Sequence, residues 1–173
     1  MDSLLSDDKY DFVSQKDKDF IIAFNDSMIN AGYENNGIQP YVVFGKCKIE
    51  YYKPGNKIKK YIARFYFRDD GIVLRLYLSN IDRHADYIEK SPDFIKKPFV
   101  DSSHTCKKPD CKGMGSEPCR YRKIYTIDGV THIKCAEQSF CFYEMDAQNA
   151  SKYVELLTIF YPDKKRKGET KNG

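Results

Sequence analysis

The chain has 173 residues, a formal net charge of +4, no tryptophan, fourteen tyrosines and six cysteines. That length suits one domain with a core that needs no covalent staples. The opening residues lack the basic start and apolar stretch of a secretory signal, and no apolar run approaches the roughly 20 residues that span a bilayer, so a cytoplasmic protein with no membrane contact is expected, in a reducing compartment that disfavours disulfides.

Charge is uneven along the chain. Residues 1–36 carry eight acids against Lys9, Lys16 and Lys18, which leaves the rest strongly basic. A basic body attracts phosphate-bearing partners, although scattered lysines equally make a solvated surface.

Residues 1–13 read as an irregular, flexible start. Ser14-Gln15-Lys16-Asp17 is a capping-box-like helix opening, and Phe20, Phe24 and Met28 place an apolar stripe at helical spacing until Gly32. Asn35-Asn36-Gly37 and Pro40 read as a loop. Val42–Tyr52 then alternates, with Val43, Cys47, Ile49 and Tyr51 on one face and Lys46, Lys48, Glu50 and Tyr52 on the other. Tyr61–Phe67 and Ile72–Leu78 flank Arg68-Asp69-Asp70-Gly71, a hairpin signal that calls for positive φ at Gly71.

Asn80–Lys90 patterns as a helix, and Pro92 and Pro98 bracket a shorter one. A polar cysteine loop follows. Tyr121–Ile133 forms a second hairpin about Asp128-Gly129, Phe140–Tyr143 a short strand, and Asp146–Tyr161 the closing helix. Lys164-Lys165-Arg166-Lys167 opens a flexible tail. The order implies an α+β domain over residues 14–162, an antiparallel sheet with helices packed on one face and a cysteine-rich zinc loop within 101–135; residues 163–173 lie outside it.

Cys106, Cys111, Cys119 and Cys135 follow the spacing Cys-x4-Cys-x7-Cys-x15-Cys, mostly within a loop rich in glycine and proline. Four thiolates would complete a tetrahedral shell around structural Zn²⁺, with His104 as a spare ligand. Reduced free thiols and disulfides are the alternatives. Pairing about Asp128-Gly129 places Cys135 opposite Arg122, so Cys119 reaches it only if the chain bends, which Pro118 allows. Catalytic zinc is disfavoured, because four thiolates leave no open position and no His-x-Glu accompanies Pro118-Cys119. Cys47 and Cys141 sit in strand patterns and read as small buried hydrophobes.

Arg64, Tyr66, Arg75 and Tyr77 share one face of the central hairpin by alternation, with Lys48 and Tyr52 beside them. Guanidinium groups fork onto carboxylate or phosphate and tyrosines stack on planar ligands. The competing account is an exposed sheet face decorated with strand formers and long solubilising side chains.

Cys119-Arg120-Tyr121-Arg122-Lys123-Ile124-Tyr125-Thr126-Ile127-Asp128-Gly129, Lys134-Cys135, the following aromatic strand, Tyr153–Tyr161 and the Phe65–Leu78 hairpin together resemble an uncharacterised family of small cysteine-rich, zinc-binding proteins from Gram-positive anaerobes. The strand–hairpin–helix order also resembles the YjbR-like α+β domains. Neither resemblance implies catalytic residues or an activity. The sequence thus reads as a non-enzymatic, zinc-stabilised module binding an anionic small molecule or nucleic acid. A small-molecule sensor or enzyme with a pocket between sheet and helices, and a protein-interaction domain, are the rivals. No phosphate loop, Ser-His-Asp spacing or paired-carboxylate motif supports the enzyme.

Overall fold

The computed structural model describes residues 4–53, 60–103, 105–106, 122–135 and 140–162. Its first helix, α1 (Gln15–Asn30), starts where the capping signal lies: Ser14 is the N-cap and its Oγ accepts the Asp17 amide at 3.2 Å. Phe20, Ile21, Phe24 and Met28 form its buried stripe, and Gly32, at φ +81°, turns the chain away. The folded region begins before Ser14. Asp7 caps a 3-10 turn over Asp8–Tyr10, and Leu5 and Val13 pack into the core, so residues 4–13 contribute to the core despite their polarity.

Five antiparallel strands follow the order β1 (Glu34–Pro40), β2 (Cys47–Tyr52), β3 (Tyr61–Arg68), β4 (Gly71–Leu76) and β7 (Cys141–Phe142). The stretch read as a loop is strand β1. Its register slips between Asn35 and Ile38, where Gly37 takes φ +71° and its amide bonds Asn35 Oδ1 at 2.8 Å. This bulge, with few strand-forming residues, hides an edge strand from any alternation test. Conversely, Val42–Gly45, read as the start of a strand, is the β1–β2 connection. The Tyr41 amide bonds the Lys46 carbonyl at 3.0 Å, and the Lys46 amide bonds Phe67 O at 2.7 Å. Val43 is consequently exposed rather than core-facing.

The central hairpin pairs Arg68 with Gly71, Tyr66 with Val73 and Arg64 with Arg75. Gly71 lies at φ +122°, a region that glycine enters without Cβ strain. One sheet face carries Tyr51, Phe65 and Leu74 into the core, where α1 and α4 (Ala150–Phe160) meet it. Phe20 and Phe24 contact Phe65 edge-on at 5.9 and 5.1 Å, and Tyr153 meets Phe142 at 5.1 Å.

Between β4 and the second hairpin, Asn80 at φ +57° leads into a 3-10 turn, Ile81–His84, and then α2 (Ala85–Glu89), in place of one continuous helix. Helix α3 (Asp93–Val100) runs through Pro98 instead of ending there. The proline forfeits one helical bond, but its ring is buried and the helix end is held from outside: the Tyr125 hydroxyl donates to Phe99 O at 2.8 Å. Strands β5 (Arg122–Ile127) and β6 (Val130–Cys135) make a separate two-stranded sheet, turned by Asp128 at φ +50° and Gly129 at φ +74°. Paired positive φ values are those of the hairpin turn whose twist matches its strands. Among the described residues, no helix is long and apolar enough to cross a membrane.

Candidate functional site

The sheet face turned away from α1 and α4 holds Arg64, Tyr66, Arg75 and Tyr77 together, as strand alternation requires. It is not an exposed, decorated surface. Arg64 is 8% exposed, Tyr66 is buried, and Arg75 and Tyr77 are half-buried in a groove of about 1290 Å³. Tyr61, Arg68, Val73, Cys141 and Tyr143 add to its lining, Asp69 and Asp70 stand at its hairpin end paired with Lys46 and Arg68, and the β1–β2 connection forms one rim. Gly45 permits that rim: a Cβ there would stand 2.3 Å from Phe67 O, so only glycine lets the connection lie this close to β3.

A polar network organises the floor. Glu50, 6% exposed and paired across the sheet with Arg64, accepts from the Arg64 guanidinium, Lys48 Nζ at 2.9 Å and the Tyr52 hydroxyl at 2.7 Å. Asn36, on the overlooked strand β1, adds its Nδ2 at 3.2 Å. Burial opposes ionisation of Glu50, but hydrogen bonds from Lys48 and Tyr52 and the Arg64 charge outweigh it and hold the carboxyl at about 2. The sequence placed Glu50 on this face without marking it as the counter-ion of Arg64. Its position between two cations across two strands was the available signal.

Beyond Glu50 the floor is rich in donors. Arg64 Nη1 donates to the Tyr66 hydroxyl at 2.9 Å, and that oxygen lies 3.1 Å from the Tyr77 hydroxyl. One proton bridges the two tyrosines. The buried Arg64 Nε–H has no acceptor among the described residues. Burial, then the hydrogen bond to Tyr66, pushes Tyr77 well above the usual phenol range, so its hydroxyl stays protonated. Aromatic faces surround the cations: Arg64 Cζ lies 4.2 Å from the Tyr61 ring centroid, and Arg75 Cζ 5.2 Å from that of Tyr77. Arg64 and Arg75 are direct cross-strand partners, an arrangement of like charges that costs stability unless anions offset it.

Of the cysteine site, Cys106 and Cys135 are described; Cys111, Cys119 and His104 lie outside the described residues. Thr105 forms an isolated antiparallel bridge to Lys134 and the Cys106 amide bonds Ile133 O at 2.9 Å, which lays this short segment along β6. Alternation then puts Cys106 and Cys135 on one face as diagonal neighbours, both as free thiols, and Cys135 stands opposite Arg122 as the turn demands. Lys134 fixes this junction from the other face. Its 2%-exposed ammonium donates to Asp101 Oδ1 at 2.8 Å and Ser103 O at 2.6 Å. Cys47 is buried, as its strand pattern implies, whereas Cys141 is half-buried and lines the groove, where burial raises its pKa and makes it a poor nucleophile.

The protein defined by this fold and groove is α+β, with one sheet face packed by helices and the other carved into a cationic, tyrosine-lined cleft. No protein-family model, curated protein or solved structure matches the chain.

Proposed function

We propose that the protein is a non-enzymatic binding module whose groove takes a small anionic molecule. The observation that carries this reading is the groove floor: a buried Arg64 Nε–H without an acceptor among the described residues, beside the paired Tyr66 and Tyr77 hydroxyls, on side chains that line an open cleft. An unsatisfied buried donor is costly, and a carboxylate or phosphate drawn in beside the guanidinium and the phenols offsets that cost. The buried seat of Arg64 favours a discrete anionic head over a nucleic-acid backbone, which tracks exposed cations. Isothermal titration with acetate, inorganic phosphate and a single-stranded oligonucleotide tests it. The two small anions should bind, more weakly as salt rises, and Arg64→Lys, which removes the Nε–H, should lower their affinity about tenfold. Absence of binding by either small anion, or oligonucleotide binding indifferent to Arg64→Lys, overturns the reading.

The cysteine cluster serves as a structural zinc site in the same proposal. The diagonal relation of Cys106 and Cys135 supports it: diagonal Cβ atoms stand about 7 Å apart, too far for a disulfide yet within reach of two thiolates on one metal. Cys111 and Cys119 are the remaining ligands, with His104 in reserve. Bound zinc would tie the loop to β6 and supply no reaction. Metal analysis of the native protein should return one zinc per chain, and Cys135→Ser should lower zinc content and melting temperature together. A zinc-free protein whose stability ignores the substitution contradicts the assignment.

A further inference from the structure

The rim of the groove carries an unexplained feature. Val42, Val43 and Phe44, at the tip of the β1–β2 connection, are 91%, 68% and 57% exposed. Connections of this kind ordinarily use glycine, asparagine, aspartate or serine, and contiguous exposed apolar residues on a folded domain mark contact surfaces. The core does not account for them: the closest ring neighbours of Phe44 are Tyr41 at 6.3 Å and Tyr66 at 5.8 Å, both on the groove side. Tyr143, also exposed, lines the opposite side beyond β7. Two strand spacings, about 10 Å, separate β3 under the tip from β7, enough for one slender organic group.

Polarity is therefore graded across one cleft. Its floor offers guanidinium and phenol donors, while its rim offers valine and phenylalanine. Resting on the anion reading above, we infer that the ligand is an amphipathic anion: an acidic head held at Arg64, Tyr66, Tyr77 and Arg75, and an aryl or acyl body lying against Val42, Val43 and Phe44. Charge complementarity fixes the head and the apolar tip fixes the body. Gly45 supports the arrangement, since the tip reaches the cleft only because the backbone behind it presses onto Phe67 O. A simple inorganic anion would satisfy the floor and leave the rim without purpose.

The Arg64 Nε–H resonance, assigned by its loss in Arg64→Lys, reports directly on the floor. Titrating it with acetate, 1-naphthoate and neutral 1-naphthalenemethanol separates the two parts of the claim. Both anions should shift it, 1-naphthoate at about 50-fold lower concentration than acetate, and the neutral alcohol should not. Phe44→Ser and Val42→Ser should each weaken 1-naphthoate several-fold and leave acetate unchanged. Equal affinity for acetate and 1-naphthoate, or indifference to both rim variants, overturns the amphipathic ligand and leaves the anion reading standing. No shift with either anion removes both. If the rim variants instead change the oligomeric state and not the 1-naphthoate affinity, the tip is a protein contact and the inference fails.

Discussion

The two faces of the five-stranded sheet are built from the same strands and do opposite work. On β3, Phe65 and Phe67 are wholly buried against α1 and the core, while Arg64 and Tyr66, one residue away, line the groove. The helix side is closed by aromatic edge contacts such as Phe24 with Tyr51 at 5.3 Å and Phe20 with Tyr153 at 5.5 Å. On the groove side Glu50, the one buried carboxylate among the described residues, answers Arg64 and Lys48, and the Arg64 Nε–H remains over. One face is finished by folding. The other keeps an open cleft above a buried cation.

Substitutions on the two faces should separate stability from binding. Phe65→Ala, on the packed face, should cost about 4 kcal/mol of stability in urea denaturation, because the surrounding rings cannot collapse into the space. A loss under 1 kcal/mol would show that this face is less tightly built than its contacts imply. Glu50→Gln should cost about 3 kcal/mol by leaving Arg64 and Lys48 without their shared carboxylate. It should also change acid behaviour. The Glu50 carboxyl is held below its unfolded value, so its ionised form stabilises the wild type above about pH 4.5, and that contribution is lost as pH falls toward about 2. Glu50→Gln should flatten the stability profile across that interval.

Lys134→Met, at the junction that seats Cys106 beside β6, should cost about 2 kcal/mol, since the Asp101 carboxylate and Ser103 carbonyl lose their donor. Hydrogen exchange at the Cys106 amide should accelerate with it. Unchanged exchange would mean that the lysine does not position the thiol. The smallest effect belongs to the groove rim. Phe44→Ser should alter stability by no more than about 0.5 kcal/mol, as expected of a side chain outside the core. A larger loss would make the tip a structural element and erase the contrast between the faces.

Much of the packed face was legible in the sequence. The Ser14 cap, the Phe20–Met28 stripe and the alternation of Phe65 with Arg64 are local signals that tertiary contacts reinforce. Both hairpin turns were legible for the same reason, because Gly71 and Gly129 supply backbone angles other residues resist. Strand β1 was hidden, since Asn35-Asn36-Gly37 carries a bulge and earns its place by side-chain bonds to Glu50 and Tyr52. Val42–Gly45 misled in the opposite direction. Its residues favour strands, but the close approach of Gly45 to Phe67 O pulls it out of the alternation. Of the groove, the four side chains Arg64, Tyr66, Arg75 and Tyr77 were readable from periodicity alone. The Glu50 counter-ion and the apolar rim were not, because both depend on the long-range pairing of β1, β2 and β3.

The claim that one face folds the protein and the other binds is tested most directly by urea denaturation in the presence of 1-naphthoate. A ligand that binds only the native state raises its stability by an amount that grows with ligand concentration. Wild type should show a rising urea midpoint at constant slope. Phe44→Ser should keep the wild-type midpoint without ligand and lose most of the ligand-induced shift. A wild-type midpoint that does not move as 1-naphthoate is raised to millimolar levels would contradict the account.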